Sequence, residues 1–182
     1  RVNLEKVEEI VKSVSINLKE NDIFNILKNR KRWPYRYPWG QASIEIIAEN
    51  EYLVSDLFFK SDGYFDFERW KKYYDLGFTS IISNVLDLNE DLRLLNKKLT
   101  EHTGLVINGN FYFSKPGRRA SFSYHNHEYD VIAKQIYGEA DWKIDEKIYH
   151  LKAGNTCIIP KNVYHQVLNK ENDKLSLTIN IQ

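Results

Sequence analysis

The sequence predicts a mainly β protein with N-terminal helices, arranged as a double-sheet jelly roll with the helices packed outside it. Two observations predict this. The first half carries apolar residues at helical spacing, whereas from Leu105 onward the chain breaks into short β-branched and aromatic runs. Those runs (105–107, 110–113, 120–127, 131–137, 142–144, 148–151, 156–159, 165–168 and 175–181) are separated by Lys115-Pro116-Gly117, Gly138, Ala153-Gly154-Asn155 and Pro160-Lys161-Asn162. Many short strands at this spacing, following helices, fit two sheets closed on one another better than a parallel sheet.

Taken in order, Leu4, Val7, Ile10, Val11 and Val14 place a helix over 3–14. Ile23, Phe24, Ile26 and Leu27 place a second, capped by Asn21 or Asp22. Arg30 to Gly40 sets four cations among four aromatic rings, and its prolines and glycine make it a loop. It could contact an acidic partner or stack on a base; the favoured reading is rings filling a gap in the core while the cations stay wet. Strands are expected at 43–48 and 52–59 around a Glu49-Asn50 turn, and Asp62-Gly63 is a further turn. Phe67, Trp70, Tyr73 and Tyr74 suit a short helix closed by Gly77, and 78–85 a buried strand. Leu92, Leu95 and Leu99 mark a helix over 90–102, followed by Gly104. His102 then sits in its last turn, where a cation favours the helix terminus.

The 182 residues are expected to form a single domain, with 1–104 packed on a β core spanning 105–182. Hydrophobic residues at 42% and aromatics at 14% exclude a disordered chain. No apolar run has the length of a membrane span and no charged-then-apolar leader begins the chain, so a soluble cytoplasmic protein with no membrane partner is expected. Basic and acidic residues, 26 and 25, leave a net charge of +1, which gives no pull toward nucleic acid. The one cysteine, Cys157, cannot form an internal disulfide; in its apolar run it reads as a buried, inert thiol.

Function enters through the histidines. His125 and His127 are one residue apart on an expected strand, so both point to the same face. His165 from another strand would complete a facial set of three metal ligands, leaving the opposite side open. A single core histidine is usually just hydrogen-bonded, but three converging are better explained by a metal. Glu128 points away from the pair by alternation, and Glu128 and Asp130 read as supporting or solvent-facing groups.

These residues also carry a resemblance. Gly154, Pro160, Asn162 and His165 recur at the intervals of the second cupin motif, with Asn162 where glycine is usual. His125-Asn126-His127 resembles the paired histidines of the first motif, although Val131 stands where that motif supplies a glutamate. Residues 70 to 182 resemble more closely the JmjC-type cupins, the iron(II) and 2-oxoglutarate oxygenases of the ribosomal-oxygenase and asparaginyl-hydroxylase kind. The likeness rests on Tyr74-Asp75-Leu76-Gly77, on Asn108 with Tyr112 to Gly117, and on His125, His127, Asp130-Val131, Gln135, Gly138, Trp142 and Asn180. Two departures stand out: His127 replaces the usual carboxylate ligand, and Ala140 aligns with the lysine that commonly pairs with the far carboxylate of 2-oxoglutarate.

The resemblance implies a double-stranded β-helix of the cupin type. It implies Fe(II) or another divalent metal on His125, His127 and His165, and 2-oxoglutarate as cosubstrate. Tyr112 and Asn180 would contact that cosubstrate. Lys134, Arg118, Arg119 or Lys115 could supply the missing cation from a neighbouring position, Lys134 being the best placed; Lys134 reads equally as a solvated lysine on an alternating strand. The expected activity is hydroxylation of an amino-acid or peptide side chain. Two alternatives remain: a three-histidine cupin dioxygenase, lyase or isomerase that needs no 2-oxoglutarate, and a non-catalytic binding module. The helical half pairs subunits in many such families, which allows a homodimer.

Overall fold

The computed structural model describes residues 2–31, 44–48, 51–53, 55–116, 124–168 and 172–182. Local capping sets the helix limits. The Asn3 side chain accepts from the backbone N–H groups of Glu5 and Lys6 and starts α1 (Leu4–Ser13). In α2 (Glu20–Lys28) neither Asn21 nor Asp22 is the cap. Lys19 holds that position, and the Asp22 carboxylate reaches back to accept the Lys19 N–H at 2.8 Å. Asp66 starts α3 (Phe67–Asp75) and Asn89 starts α4 (Glu90–Thr103), which ends on Gly104 in the left-handed conformation.

Ten strands are described: β1 (Ile44–Ala48), β2 (Glu51–Leu53), β3 (Thr79–Ile82), β4 (Asn108–Ser114), β5 (Asp130–Tyr137), β6 (Ala140–Ile144), β7 (Lys147–Leu151), β8 (Thr156–Ile159), β9 (His165–Leu168) and β10 (Lys174–Ile181). They form one sheet in the order β2-β1-β3-β4-β10-β5-β8 and a second in the order β7-β6-β9. The neighbours pair antiparallel. This is the expected mainly β, two-sheet architecture with helices outside.

Several boundaries differ from expectation. The strand expected at 52–59 stops at Leu53, and Ser55–Phe58 is a 3-10 turn, consistent with the turn preference of Ser and Asp. No strand forms at 105–107, because the Thr103 hydroxyl takes the Leu105 N–H before a ladder can. Of the strand expected at 120–127, residues 120–123 lie outside the described residues; His125 pairs with His165 in an isolated bridge. Most of the aromatic-basic loop, 32–40, also lies outside them.

Strand alternation divides the side chains between two cores. On β5, Val131 and Ala133 turn inward between the sheets and join Ala140, Trp142, Ile144 and Ile159. Ile132 and Ile136 turn outward to the larger core, where they meet Val7, Val11, Leu95 and Leu99 of the covering helices. A layer of aromatic rings completes that outer core: Trp70 and Tyr74 of α3 both stack on Phe113 of β4. Among the described residues, no helix is long and apolar enough to cross a membrane.

Candidate metal centre

The three histidines meet at one end of the space between the sheets. His125 and His165 face each other across the bridge, exchanging backbone bonds: His125 N–H donates to His165 O at 3.0 Å and His165 N–H to His125 O at 2.7 Å. His127 is fixed by the next turn, where Asn162 N–H donates to its carbonyl at 2.6 Å. That bond requires Asn162 at φ 65°, a left-handed conformation that asparagine tolerates where the cupin motif has glycine. Gly138 is constrained more tightly. It has φ 69°, and a Cβ there would lie 2.0 Å from the Asp173 carbonyl oxygen.

Each histidine offers one ring nitrogen, and these atoms all lie within 4.8 Å of one another. The Nε2 atoms of His125 and His127 are 3.3 Å apart. Two nitrogens bound to one ion at about 2.1 Å, at angles between tetrahedral and octahedral, stand about 3.0–3.4 Å apart, so the pair is already at ligand spacing. His165 Nδ1 lies 3.1 Å from the Val163 carbonyl; a carbonyl only accepts, so Nδ1 carries the proton and Nε2 keeps its lone pair. Among the described residues His127 Nδ1 is buried without a partner, as expected of a ring whose position is set by another demand.

The electrostatics agree with this donor set. Burial lowers the His127 pKa, and the nearby His125 lowers it further. Burial also takes His165 down to about 4, against the Val163 carbonyl, which favours the charged form, with His125 and His127 lowering it further. Both rings are therefore held neutral, the form that binds a metal. The residues present fit a divalent ion.

Around the centre is a cavity of about 40 Å³, room for about two or three water-sized groups. One wall is polar, with Asn110 and Tyr112 from β4 and Thr178 and Asn180 from β10; the other is apolar, with Val131, Trp142, Ile159 and Val167. Tyr112 and Asn180 thus share a chamber with the three histidines. Val131, buried at the position of the cupin glutamate, offers no fourth ligand. Asp130 is occupied elsewhere, accepting the Lys161 N–H at 2.8 Å, and Glu128 is exposed. His102 lies in the last turn of α4, apart from the cluster.

Lys134 requires a correction. It is only 3% exposed, and its ammonium donates to the carbonyls of Val11, at 2.8 Å, and Val14, at the end of α1. Alternation puts it on the outer face of β5, away from the chamber, so it neither meets a ligand there nor stays in solvent. It caps a helix C-terminus, where a cation is favoured, and burial lowers its pKa. Gln135 beside it accepts from the Ser176 hydroxyl at 2.7 Å. Among the described residues, the chamber lining includes no Lys or Arg; Arg118 and Arg119 lie outside those residues. Cys157 is buried with its thiol pushed up to about 12, the expected inert state.

Sequence reasoning placed Trp142 within the JmjC-type resemblance and did not single out its indole N–H, which has no hydrogen-bond partner among the described residues. The signal for it was the alternation Ala140-x-Trp142-x-Ile144, which turns all three side chains inward. A second, open groove of about 820 Å³ lies outside the barrel, beside Asn25, Arg30, Asn84, Asp87, Asn96 and Asn108.

Residues 111–181 match the family model of the cupin domain. No curated protein matches the chain. Among solved structures, the chain is similar in fold to YcfD, a ribosomal oxygenase from Escherichia coli, whose structure was determined in complex with cobalt and succinic acid. The likeness has TM-score 0.64 at 14% identity and covers 91% of this chain and 44% of YcfD. A second YcfD structure gives TM-score 0.60 over the same share of this chain, at 14% identity and 43% of YcfD. KdgF from Halomonas sp. is similar over 42% of this chain and 69% of its own, at 18% identity and TM-score 0.37. The chain thus spans less than half the length of YcfD. The expected cupin-type fold is borne out by the match over residues 111–181 and by the likeness in fold to YcfD.

Proposed function

We propose that the chain is a metal-dependent oxygenase that hydroxylates an amino-acid or peptide side chain, using Fe(II), O2 and 2-oxoglutarate. The observation that carries the reading is the meeting of His125, His127 and His165 at ligand spacing inside a chamber shared with Tyr112 and Asn180. YcfD, a ribosomal oxygenase similar in fold over nearly all of this chain, has been seen with cobalt and succinic acid, a divalent metal and a dicarboxylate.

In this reading His125, His127 and His165 hold the metal, and the Tyr112 hydroxyl and Asn180 carboxamide hydrogen-bond the cosubstrate. Bound iron would supply the redox chemistry with O2 that C–H hydroxylation needs. The chain itself orients the ligands and keeps water from the reacting carbon: Val131, Ile159 and Val167 line the dry wall. The test is anaerobic titration of the protein with iron(II) and then 2-oxoglutarate. A weak visible charge-transfer band and 2-oxoglutarate consumption in air support the reading; bound iron with neither rejects it.

One observation favours a second reading, a three-histidine cupin enzyme that needs no 2-oxoglutarate. Among the described residues no cation lines the chamber to meet a far carboxylate, and the small cavity suits a smaller ligand. There the metal would act as Lewis acid or dioxygenase centre. Iron binding without the charge-transfer band is its signature.

A further inference from the structure

Trp142 is buried, 5% exposed, and faces the space between the sheets with Ala140 and Ile144. Its ring stacks near that of His165, with centroids 6.4 Å apart and planes at 26°, and it lines the histidine chamber. Among the described residues its indole Nε1–H has no hydrogen-bond partner. A phenyl ring could fill apolar space without burying an unpaired donor. The contrast within this chain is informative. Trp70 is fully buried too, and its Nε1–H donates to the Ser80 hydroxyl at 2.9 Å. Trp70, which serves only the core, has its N–H paired; Trp142, beside three histidines, has no partner among the described residues.

We propose that the Trp142 indole N–H binds an oxygen of a small carboxylate seated at the three-histidine centre. The inference rests on the metal-centre reading above. An indole nitrogen only donates, so its partner must accept. The metal would draw an anion into the chamber, and a carboxylate has a second oxygen to offer. Ala140 precedes Trp142 by two residues on the same strand face, so the neutral donor lies one pleat from the position where the JmjC-type resemblance expects a lysine. Trp142 is therefore a binding residue that orients the ligand without adding charge.

The test labels the four tryptophans with 15N at the indole nitrogen and follows their signals in the zinc-loaded protein. Formate and 2-oxoglutarate are the probes. The Trp142 signal is assigned by its loss in Trp142→Phe, and independently by broadening when cobalt(II) replaces zinc. The expected result is a shift of the Trp142 signal on adding a probe while that of Trp70 stays in place. Trp142→Phe should bind the probe about tenfold more weakly with zinc affinity unchanged. A shift with formate alone keeps this inference and removes 2-oxoglutarate from the proposed function. A Trp142 signal unmoved by both probes, or equal probe affinity in Trp142→Phe, overturns the inference whatever becomes of the function. Failure to bind zinc overturns both.

Discussion

Replacing Lys134 separates a structural role from a cosubstrate role. Lys134→Met keeps the length and apolar stem of the side chain but removes the ammonium. Two carbonyls at the end of α1, those of Val11 and Val14, then lose the donor that satisfies them. A buried acceptor left unpaired costs about 1–3 kcal/mol, and loss of a cation at a helix C-terminus about 0.3–1 kcal/mol. Part of this is offset because a buried charge, whose desolvation is visible in its lowered pKa, is also removed. A net loss of about 2–3 kcal/mol is expected, or a Tm lower by about 4–12 °C in a chain of this size. Urea unfolding measures it, with an unchanged slope if only the folded state is affected. Cobalt(II) and 2-oxoglutarate affinities of the folded variant should match those of the parent protein. Unchanged stability together with lost 2-oxoglutarate binding would refute the reasoning and restore Lys134 to the site.

Gly138→Ala should destabilise the protein by about 2–4 kcal/mol in denaturant titration, since the new Cβ meets the Asp173 carbonyl in a left-handed residue. His165 has a folded pKa near 4 against an unfolded value of about 6.5, so the unfolded chain binds more protons between those values. The stability of metal-free protein should therefore hold above pH 6.5 and fall as pH drops toward 4. Urea midpoints should show this slope, and His165→Leu should flatten it. In the native protein Cys157 should resist a disulfide-exchange reagent at pH 8 and react only on unfolding, as a buried thiol with a raised pKa does. A saturating divalent metal at about 100 times its Kd should add about 2.7 kcal/mol to stability, and His125→Ala should lose that increment.

The architecture was legible because its signals are local and periodic. The helix over α4 showed in Leu92, Leu95 and Leu99, and the turns in Gly104, Gly138 and Asn162, all of which have positive φ. The histidine cluster was legible for the same reason: a two-residue spacing and a motif with its own turn chemistry. What the sequence hid depends on contacts between distant segments. The run Val131 to Ile136 shows no alternation because β5 is covered on both faces, by the second sheet and by the helices, so Lys134 looked anomalous. Its partners are carbonyls more than a hundred residues away, which no local pattern announces. The α2 cap was misplaced by two or three residues because Asp22 caps from inside the first turn. The unpaired N–H of Trp142 stayed hidden because a sequence shows a buried indole but not whether its N–H is paired.

The central claim is that His125, His127 and His165 form one metal centre. Cobalt(II) titration of chelator-treated protein, read by its visible absorption, tests it most directly. Saturation at one equivalent is expected, with loss of the bands in both His127→Ala and His165→Ala, each still folded by circular dichroism. Absence of cobalt binding, or bands that persist in those variants, would contradict it.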